Sequence, residues 1–335
     1  MDLTTTYMGI ELRNPLVASP SPLSHTLDGV ERLAQAGVAA IVLHSLFEEQ
    51  LREQAARNAR IVEQQTESFA EALSFFPPVV AQDVGPSAYL KLIERAAGTV
   101  AVPVIASLNG STPEGWTGYA RSMQDAGAAA IELNIYHLPA DLQTGGSEVE
   151  QRHLEILARV KDAVTVPVAV KLAPYFSSIG NIALRLDQAG ADALVLFSPL
   201  IAPEIDHEAL TVAPAVTLST PDQARLPRTW IALLHGRLQA SLAATGGVED
   251  AADLVKYLLA GADVVMTTSA LLRHGPEHAA ALLAGLEAWM TRRGFDSAAQ
   301  LRGLLAVPAD GDEAAYERSL YVSAMRAANA GAYEP

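Results

Sequence analysis

The sequence predicts a TIM (β/α)8 barrel with an N-terminal hairpin and a C-terminal helical extension. Four segments share nearly the same pattern, in which an amphipathic helical stretch ends at Ala-Gly and a short apolar run follows at once. They are 36–43, 126–133, 189–196 and 260–267. Glycine ends a helix well because it adopts the left-handed conformation, and such apolar runs are typical of parallel strands covered on both faces. Because 335 residues can hold eight of these units, we expect a closed barrel.

Eight barrel strands are expected from the apolar runs along the chain. Their ranges are 16–20, 39–45, 104–108, 130–135, 168–172, 193–198, 241–245 and 264–269. Two strands begin with Val-Pro-Val, where proline occupies a position that needs no ladder hydrogen bond. In barrels of this class the catalytic side chains follow the C-terminal ends of the strands, so we expect the functional residues there.

Other segments lie outside the repeats. Residues 1–15 alternate around a glycine, which predicts a small hairpin at the barrel floor. The connections 46–100 and 199–228 are too long for simple βα units. Both follow strand C-termini, so we expect them to overhang the active-site face as lids, subunit contacts or tolerated insertions. We expect the barrel to comprise 1–305 and the helical tail 306–335 to pack on the barrel or on a neighbouring molecule.

Composition excludes several classes of function. The net charge of −15 argues against nucleic-acid binding, and the absence of cysteine excludes disulfides, thiolate-bound clusters and thiol catalysis. No apolar run approaches the roughly 18 residues of a membrane span, and residues 1–5 lack signal-peptide character. We therefore expect a cytoplasmic protein with no metal site, no membrane partner and a small-molecule substrate.

Lys171 is the first candidate functional residue. It is one of four lysines and the one that lies near the end of an apolar strand, in Val-Ala-Val-Lys-Leu-Ala-Pro. A buried ammonium is costly unless it is paired or contacts an anionic group. Lys171 is therefore predicted to serve function, the alternative being a structural ion pair.

The ends of strands seven and eight predict a phosphate site. In barrels of this class the loops after these two strands bind phosphate through backbone N–H groups at a helix N-terminus. Gly-Gly lets the backbone approach a phosphate closely, and hydroxyl groups add donors, although Gly-Gly also occurs in ordinary turns. Glu249 and Asp250 would repel a phosphate unless they point away. The candidate residues are Gly246, Gly247, Thr268 and Ser269.

The remaining strand ends are also polar. Each of their side chains could be a helix cap or a rim hydrogen bond when taken alone. Together with Lys171 and a phosphate site, they describe a pocket for a flat, hydrogen-bonding, phosphorylated molecule. The residues are Ser19, His44, Ser45, Asn109 and Asn134.

These motifs match a known family. The chain resembles the class 1 dihydroorotate dehydrogenases, FMN-dependent barrels of pyrimidine biosynthesis, over roughly residues 3–300. The resemblance rests on the order and spacing of Asn-Pro-Leu-Val-Ala-Ser at 14–19, Glu-Leu-Asn at 132–134, Val-Lys-Leu-Ala-Pro-Tyr-Phe at 170–176 and Thr-Gly-Gly at 245–247. It implies FMN as cofactor and a homodimer.

The resemblance also implies roles for the cofactor-binding residues. Lys171 would lie at the N1/O2 edge of the flavin, where its charge stabilises the anionic reduced form, and Asn134 would contact both flavin and substrate. The residues beside the flavin ring would be Ala18, Ser19 and Ser45. Those at the FMN phosphate would be Gly246, Gly247, Thr268 and Ser269, where the family usually has Gly-Thr in place of the last two.

The substrate half of the site departs from the family pattern. The family's catalytic Cys or Ser base lies after Glu-Leu-Asn, where this chain has Tyr-His-Leu-Pro, so His137 is the candidate base. His44 replaces a family lysine, and no asparagine occurs between Asn58 and Asn109, so the family's Asn-containing substrate loop is missing. The candidate substrate contacts are His44, Asn109, Asn134 and Ser198.

The leading hypothesis is an FMN-dependent oxidoreductase in which a base removes a proton while hydride passes to flavin N5. Its substrate would be dihydroorotate, or another small molecule in a variant of the hypothesis. Two alternatives remain open: a non-catalytic barrel that serves as a partner subunit, and a lyase that uses Lys171 as a Schiff-base amine. The electron acceptor is not predicted, because no G-x-G-x-x-G fingerprint is present.

Overall fold

A computed structural model describes residues 1–53, 56, 85–112, 116–198, 203–213, 216–308 and 313–329. Eight parallel strands form a closed barrel in the order β11-β12-β3-β4-β5-β6-β7-β8. The barrel strands are β3 Leu16–Ala18, β4 Ala40–Phe47, β5 Val104–Gly110, β6 Ala130–Ile135, β7 Val168–Leu172, β8 Ala193–Leu196, β11 Ser241–Thr245 and β12 Val264–Thr267. Two antiparallel hairpins lie outside the barrel, β1 Thr5–Tyr7 with β2 Ile10–Leu12, and β9 Glu204–Asp206 with β10 Thr211–Ala213.

Helices cover the outside of the barrel. They are α1 Leu27–Gln35, α2 Pro86–Thr99, α3 Thr117–Asp125, α4 Gly146–Ala163, α5 Ile179–Gln188, α6 Arg225–Leu234, α7 Ala251–Ala260, α8 Ser269–His274, α9 His278–Arg293, α10 Ala298–Leu301 and α11 Glu313–Asn329. Short 3₁₀ turns occupy Pro22–Ser24 and Pro221–Ala224. The predicted fold class is confirmed.

The repeated Ala-Gly pattern has the structural role that the sequence predicted. Gly37, Gly127, Gly190 and Gly261 follow α1, α3, α5 and α7 with φ between 88° and 115°. A Cβ is disfavoured at such angles, so glycine is suited to these helix ends. The strands that follow them are buried on both faces. One face packs in an outer cluster beneath the helices and the other in an interior cluster inside the barrel.

The N-terminal hairpin closes the barrel floor as predicted. Its turn places Met8 and Gly9 at positive φ, as in a type I′ turn. Tyr7, Met8 and Leu12 are buried and belong to the interior cluster. Burial raises the pKa of Tyr7 well above its usual value, and the negative charges of Glu132 and Asp263 raise it further.

Several strand ends differ by two residues from the prediction. β3, β8 and β12 end two residues earlier, and β4 and β5 extend two residues further. Ser269 already begins α8, so β12 cannot include it. The polar residues predicted at the ends of β3, β8 and β12 thus lie just beyond these strands at the barrel rim, whereas those of β4 and β5 remain within the strands.

Parts of the two long connections lie outside the described residues. The predicted helical stretch after residue 48 is described as far as residue 53, and the prolines at 77 and 78 fall outside. In the second connection, the exposed hairpin β9–β10 is followed by residues 216–220 and the 3₁₀ turn before α6. Whether these connections act as lids or subunit contacts stays a prediction.

The C-terminal tail forms α11. Leu320, Tyr321 and Met325 on this helix are 44–56% exposed. Backbone hydrogen bonds to the barrel helices continue as far as the Val307 N–H, which donates to Ala232. None of the helices in the described ranges is long and apolar enough to span a membrane.

Candidate active site

Polar side chains line adjacent strands inside one end of the barrel. Asn109 on β5 pairs in register with Asn134 on β6, which in turn pairs with Lys171 on β7. Two residues earlier on β5 and β6, Ser107 pairs with Glu132. Because side chains two positions apart share a strand face, these five residues lie on the face of the interior cluster. They form a polar layer above an apolar one.

Lys171 has a buried partner to which the sequence had assigned no role. Its Nζ lies 3.5 Å from Oε1 of Glu132, and the two residues are 8% and 1% exposed. Oε2 of Glu132 and Oδ1 of Asn134 are buried and have no hydrogen-bond partner among the described residues. Buried acceptors are normally satisfied. The ion pair therefore accounts for the charge of Lys171 but leaves two acceptors beside it for a donor from a ligand.

Ser45 reaches the interior because β4 is irregular. The register between β4 and β5 shifts between Val42 and Ser45, so that Ser45 lies opposite Ser107. The two hydroxyl groups share a hydrogen bond of 2.9 Å. Ser107 is further fixed by Tyr89 of α2, whose hydroxyl accepts from the Ser107 N–H and donates to its carbonyl.

His44 makes its contacts on the helix side of β4. Its Nδ1 lies 3.3 Å from the Ser24 carbonyl, and its ring packs against the rings of His25 and Tyr89. Burial lowers the pKa of His44 to about 4, and the nearby His25 lowers it further. A neutral His44 cannot replace the charge of the family lysine at neutral pH. Its predicted substrate contact gains no support from these contacts.

His137 follows β6, as predicted for a base, and lies over α4. Its Nε2 is buried without a hydrogen-bond partner in the described part of the chain. Burial lowers the pKa of His137, and the positive charge of Arg152 lowers it further. His153 lies near enough for the two imidazoles to repel when protonated, and its own Nδ1 is held 2.8 Å from the Val149 carbonyl. The neutral form of His137 is favoured, with a nitrogen able to accept a proton.

The glycine pair after β11 has the conformation expected of a phosphate-binding loop. Gly246 and Gly247 have φ of 92° and 67°. A Cβ on Gly247 would lie 2.7 Å from the Ala224 nitrogen and 2.8 Å from the Thr220 carbonyl oxygen, whereas one on Gly246 would meet no atom within 4 Å. Gly247 thus permits close packing of the turn before α6, and Gly246 faces open space.

Ser219 lies at this loop, and the sequence did not predict it. Its Oγ accepts from the Gly247 N–H at 3.1 Å and donates to Oγ of Ser269 at 2.9 Å. Its own N–H donates to the same Ser269 oxygen at 2.9 Å. Thr268 donates to the carbonyl of Ser19, joining the ends of β12 and β3. The sequence Thr-Leu-Ser-Thr before a proline was the available signal. It does not indicate that this segment lies next to the glycine pair after β11.

Two acidic residues next to this loop, whose negative charges would repel a phosphate, are hydrogen-bonded or paired with other groups. Asp250 caps α7, where its carboxylate accepts from the N–H groups of Ala252 and Asp253. Glu249 is paired with Arg273 and His274. Asp250 thus already uses two of the N–H groups at the start of α7. The predicted phosphate site stays a prediction, with the glycine backbone and the Ser269 hydroxyl as its remaining donors.

One cavity connects the lysine with this loop. It has a volume of about 170 Å³, and its lining includes Phe197 and Thr217. The predicted site residues that line it are Ser19, Lys171, Ser198, Gly246, Thr268 and Ser269. Ala18 is buried in the outer cluster instead. A second cavity, of about 700 Å³, lies at the opposite end of the barrel beside the N-terminal hairpin and the Arg302–Asp263 ion pair.

Comparisons with known proteins show the family to which this chain belongs. The family model described as dihydroorotate dehydrogenase matches residues 2–290. The chain belongs to the dihydroorotate dehydrogenase family. Members of this family are oxidoreductases that act on CH–CH groups, so the predicted family and enzyme class are confirmed.

Curated relatives match this chain over most of their own length. A protein of Methanothermobacter thermautotrophicus is 31% identical over 313 residues, which cover 90% of this chain and 98% of the relative. A Methanocella arvoryzae protein is 30% identical over 276 residues, covering 81% and 87%, and one from Desulforudis audaxviator is 28% identical over 301 residues, covering 88% and 94%. All three relatives are named dihydroorotate dehydrogenase B (NAD(+)), catalytic subunit.

The dihydroorotate dehydrogenase family generally binds flavin, and the residues present fit a phosphorylated flavin. A buried cation with unpartnered acceptors beside it suits the hydrogen-bonding edge of a flavin ring. The open side of Gly246 suits a phosphate, as does the hydroxyl group of Ser269, whose oxygen accepts from Ser219 and whose own hydrogen is left for a ligand. Lys171 and Gly246 line the same cavity, so one molecule could place its ring beside the first and its phosphate beside the second.

Proposed function

We propose that this protein is an FMN-dependent oxidoreductase that converts dihydroorotate to orotate in pyrimidine biosynthesis. The observation that carries the proposal is the single cavity in which buried Lys171 and the Gly246 loop both lie. A flavin ring beside Lys171 and its phosphate at the loop would use both ends of that cavity. Membership of the dihydroorotate dehydrogenase family favours the named substrate.

Each residue then has a defined task. When bound, FMN supplies the hydride acceptor. Lys171, held by Glu132, places a positive charge at the ring, and the unpartnered Oδ1 of Asn134 accepts a hydrogen bond from the ring or the substrate. Ser219 donates its hydroxyl hydrogen to Ser269, and the Ser269 hydroxyl, oriented by that bond, donates to the phosphate. His137, neutral at physiological pH, accepts the substrate proton at Nε2.

Asn109 and Ser198 are proposed substrate contacts. Asn109 is in register with Asn134, and Ser198 lines the cavity beside Lys171. His44 lies against α2 and contributes shape rather than charge. Dihydroorotate, a small ring with amide groups and one carboxylate, suits amide and hydroxyl partners.

The electron acceptor and the assembly are also proposals. The names of the relatives contain NAD(+) and catalytic subunit, which favours NAD⁺ as acceptor, reached through a second subunit. The absence of a G-x-G-x-x-G fingerprint in this chain agrees with a separate nucleotide-binding subunit. We propose a cytoplasmic homodimer of this chain as the core of such an assembly.

The test is the visible absorption spectrum of the purified protein before and after dihydroorotate is added without oxygen. Flavin bands that bleach support the proposal. Bands that persist would retain FMN but reject dihydroorotate in favour of another small substrate. A protein that binds no flavin even after reconstitution would favour a non-catalytic partner subunit. A colourless protein that borohydride links to a carbonyl compound at Lys171 would instead favour a lyase.

A further inference from the structure

A group of charged residues outside the flavin cavity contacts the loop that carries Ser219. Arg273 lies in the last turn of α8, the helix that begins at Ser269. Its Nη2 donates to the carbonyl oxygens of Leu218 at 3.1 Å and Ser219 at 2.8 Å. Both ends of one short helix therefore hold the same loop, Ser269 through its hydroxyl and Arg273 through its guanidinium.

Arg273 is itself held in place. Its Nη1 is paired with Oε2 of Glu249, and the other carboxylate oxygen of Glu249 lies 2.7 Å from Nε2 of His274. The hydrogen bond with His274 lowers the pKa of Glu249, and the positive charge of Arg273 lowers it further. Arg273 and Glu249 are each 29% exposed, so the pair is partly shielded from solvent. The planar guanidinium suits this task because it presents several donors in one fixed plane.

The loop contact has a consequence for the phosphate site. The Ser219 hydroxyl lies between the Gly247 N–H and Ser269, and its position depends on the backbone of 218–219. The carbonyls of those two residues are the groups that Arg273 holds. Loss of the guanidinium would release this backbone and let the Ser219 hydroxyl move away from the Gly247 N–H and from Ser269.

We propose that Arg273 is a positioning residue that holds Ser219 at the phosphate end of the flavin site. This inference rests on the proposed function, because it assumes that the ligand at this loop is the FMN phosphate. Arg273 acts through the loop, and its charge is balanced by Glu249. The proposal predicts that replacing Arg273 weakens the binding of FMN but not the binding of riboflavin, which lacks the phosphate.

The experiment compares the wild type with Arg273→Gln, using Arg32→Gln as the matched control. Arg32 forms an exposed ion pair with Glu277 through a 2.9 Å contact, and among the described residues it has no hydrogen bond to the loop 216–220 or to Gly246, Gly247 and Ser269. Flavin is removed, and the dissociation constants of FMN and riboflavin are measured by fluorescence quenching. Arg273→Gln is expected to weaken FMN about tenfold or more, a change of about 1.4 kcal/mol or more, and to change riboflavin less than about twofold. Arg32→Gln is expected to change neither.

Amide hydrogen exchange of residues 216–220 in the flavin-free protein provides a second readout. Arg273→Gln is expected to accelerate it, and Arg32→Gln is not. Equal weakening of FMN and riboflavin, or unchanged FMN affinity, would overturn the inference. If wild type binds no flavin, the proposed function fails, and the exchange rate alone decides whether Arg273 holds the loop. Should Arg273→Gln not fold, Arg273→Lys replaces it, with a smaller loss of FMN affinity expected because lysine cannot serve both carbonyls and Glu249 together.

Discussion

Replacing Lys171 with methionine isolates the buried ion pair of the candidate active site. Methionine keeps the length and apolar stem of the side chain but removes its charge. Glu132, which is 1% exposed, then remains in the barrel interior without its cation. A buried charge left without its partner is costly, so Lys171→Met is expected to destabilise the flavin-free protein.

The magnitude follows from the geometry. At 3.5 Å between Nζ and Oε1, two unit charges attract by about 5 kcal/mol at an effective dielectric of about 20. Removing one partner of a buried pair costs about 3–5 kcal/mol in comparable cases. For 335 residues, the unfolding entropy near 60 °C is about 0.7 kcal/mol/K. The expected fall in Tm is therefore about 4–7 °C.

The assay is a double-mutant cycle. Thermal and urea unfolding are measured for the wild type, Lys171→Met, Glu132→Gln and the double variant, all without flavin because bound ligand adds its own stabilisation. The loss in the free energy of unfolding of the double variant is expected to be smaller than the sum of the losses of the two single variants, by at least about 2 kcal/mol. Lys161→Met is the matched control, because Lys161 forms a 2.6 Å pair with Asp192 in which both side chains are about one-third exposed. Its expected loss is within about 1 kcal/mol.

Additive effects of Lys171→Met and Glu132→Gln would refute the reasoning. They would mean that the two charges do not interact in the folded protein, and that Lys171 is held by other groups. A loss for Lys161→Met as large as that for Lys171→Met would show that burial does not decide the effect.

Two further predictions concern the base and the phosphate loop. Because burial and Arg152 lower the pKa of His137 from 6.5, its neutral form is the base. kcat/KM for dihydroorotate should be constant above neutral pH and fall on the acid side with a midpoint below 6.5. His137→Asn should lower kcat by about 100-fold or more. An unchanged kcat would mean that His137 is not the base. Gly247→Ala should weaken FMN binding and lower Tm more than Gly246→Ala, because its Cβ would meet backbone atoms at 2.7 and 2.8 Å while that of Gly246 meets open space; equal effects in calorimetry and FMN titration would contradict the close packing at Gly247.

Much of the fold was accessible from the sequence because its signals are local. A helix that ends at glycine and an apolar run that follows it lie within about ten residues, and their repetition specifies a barrel. The hairpin around Gly9 and the positions of Lys171 and the Gly246 loop were likewise predicted from short segments. The strand ends were less accurate, because the point at which a strand leaves the barrel depends on its neighbours.

The candidate site was predicted in part. Lys171, Gly246, Thr268 and Ser269 line one cavity as their strand ends suggested. His44 does not join them in that lining, because the register shift in β4 turns Ser45 inward and leaves His44 against α2. No local pattern indicates such a shift, since it depends on the hydrogen-bonding partner strand.

Short patterns of residue types were enough to predict the barrel, the family and the strand ends that carry polar residues. Which side chains become partners depends on how the elements pack. Glu132 pairs with Lys171 on the neighbouring strand. Ser219, in the connection before α6, accepts from the Gly247 N–H, and Arg273 on α8 pairs with Glu249. These pairings join residues that lie 24 to 39 positions apart in the sequence. They depend on strand register and helix packing, which only the assembled barrel establishes.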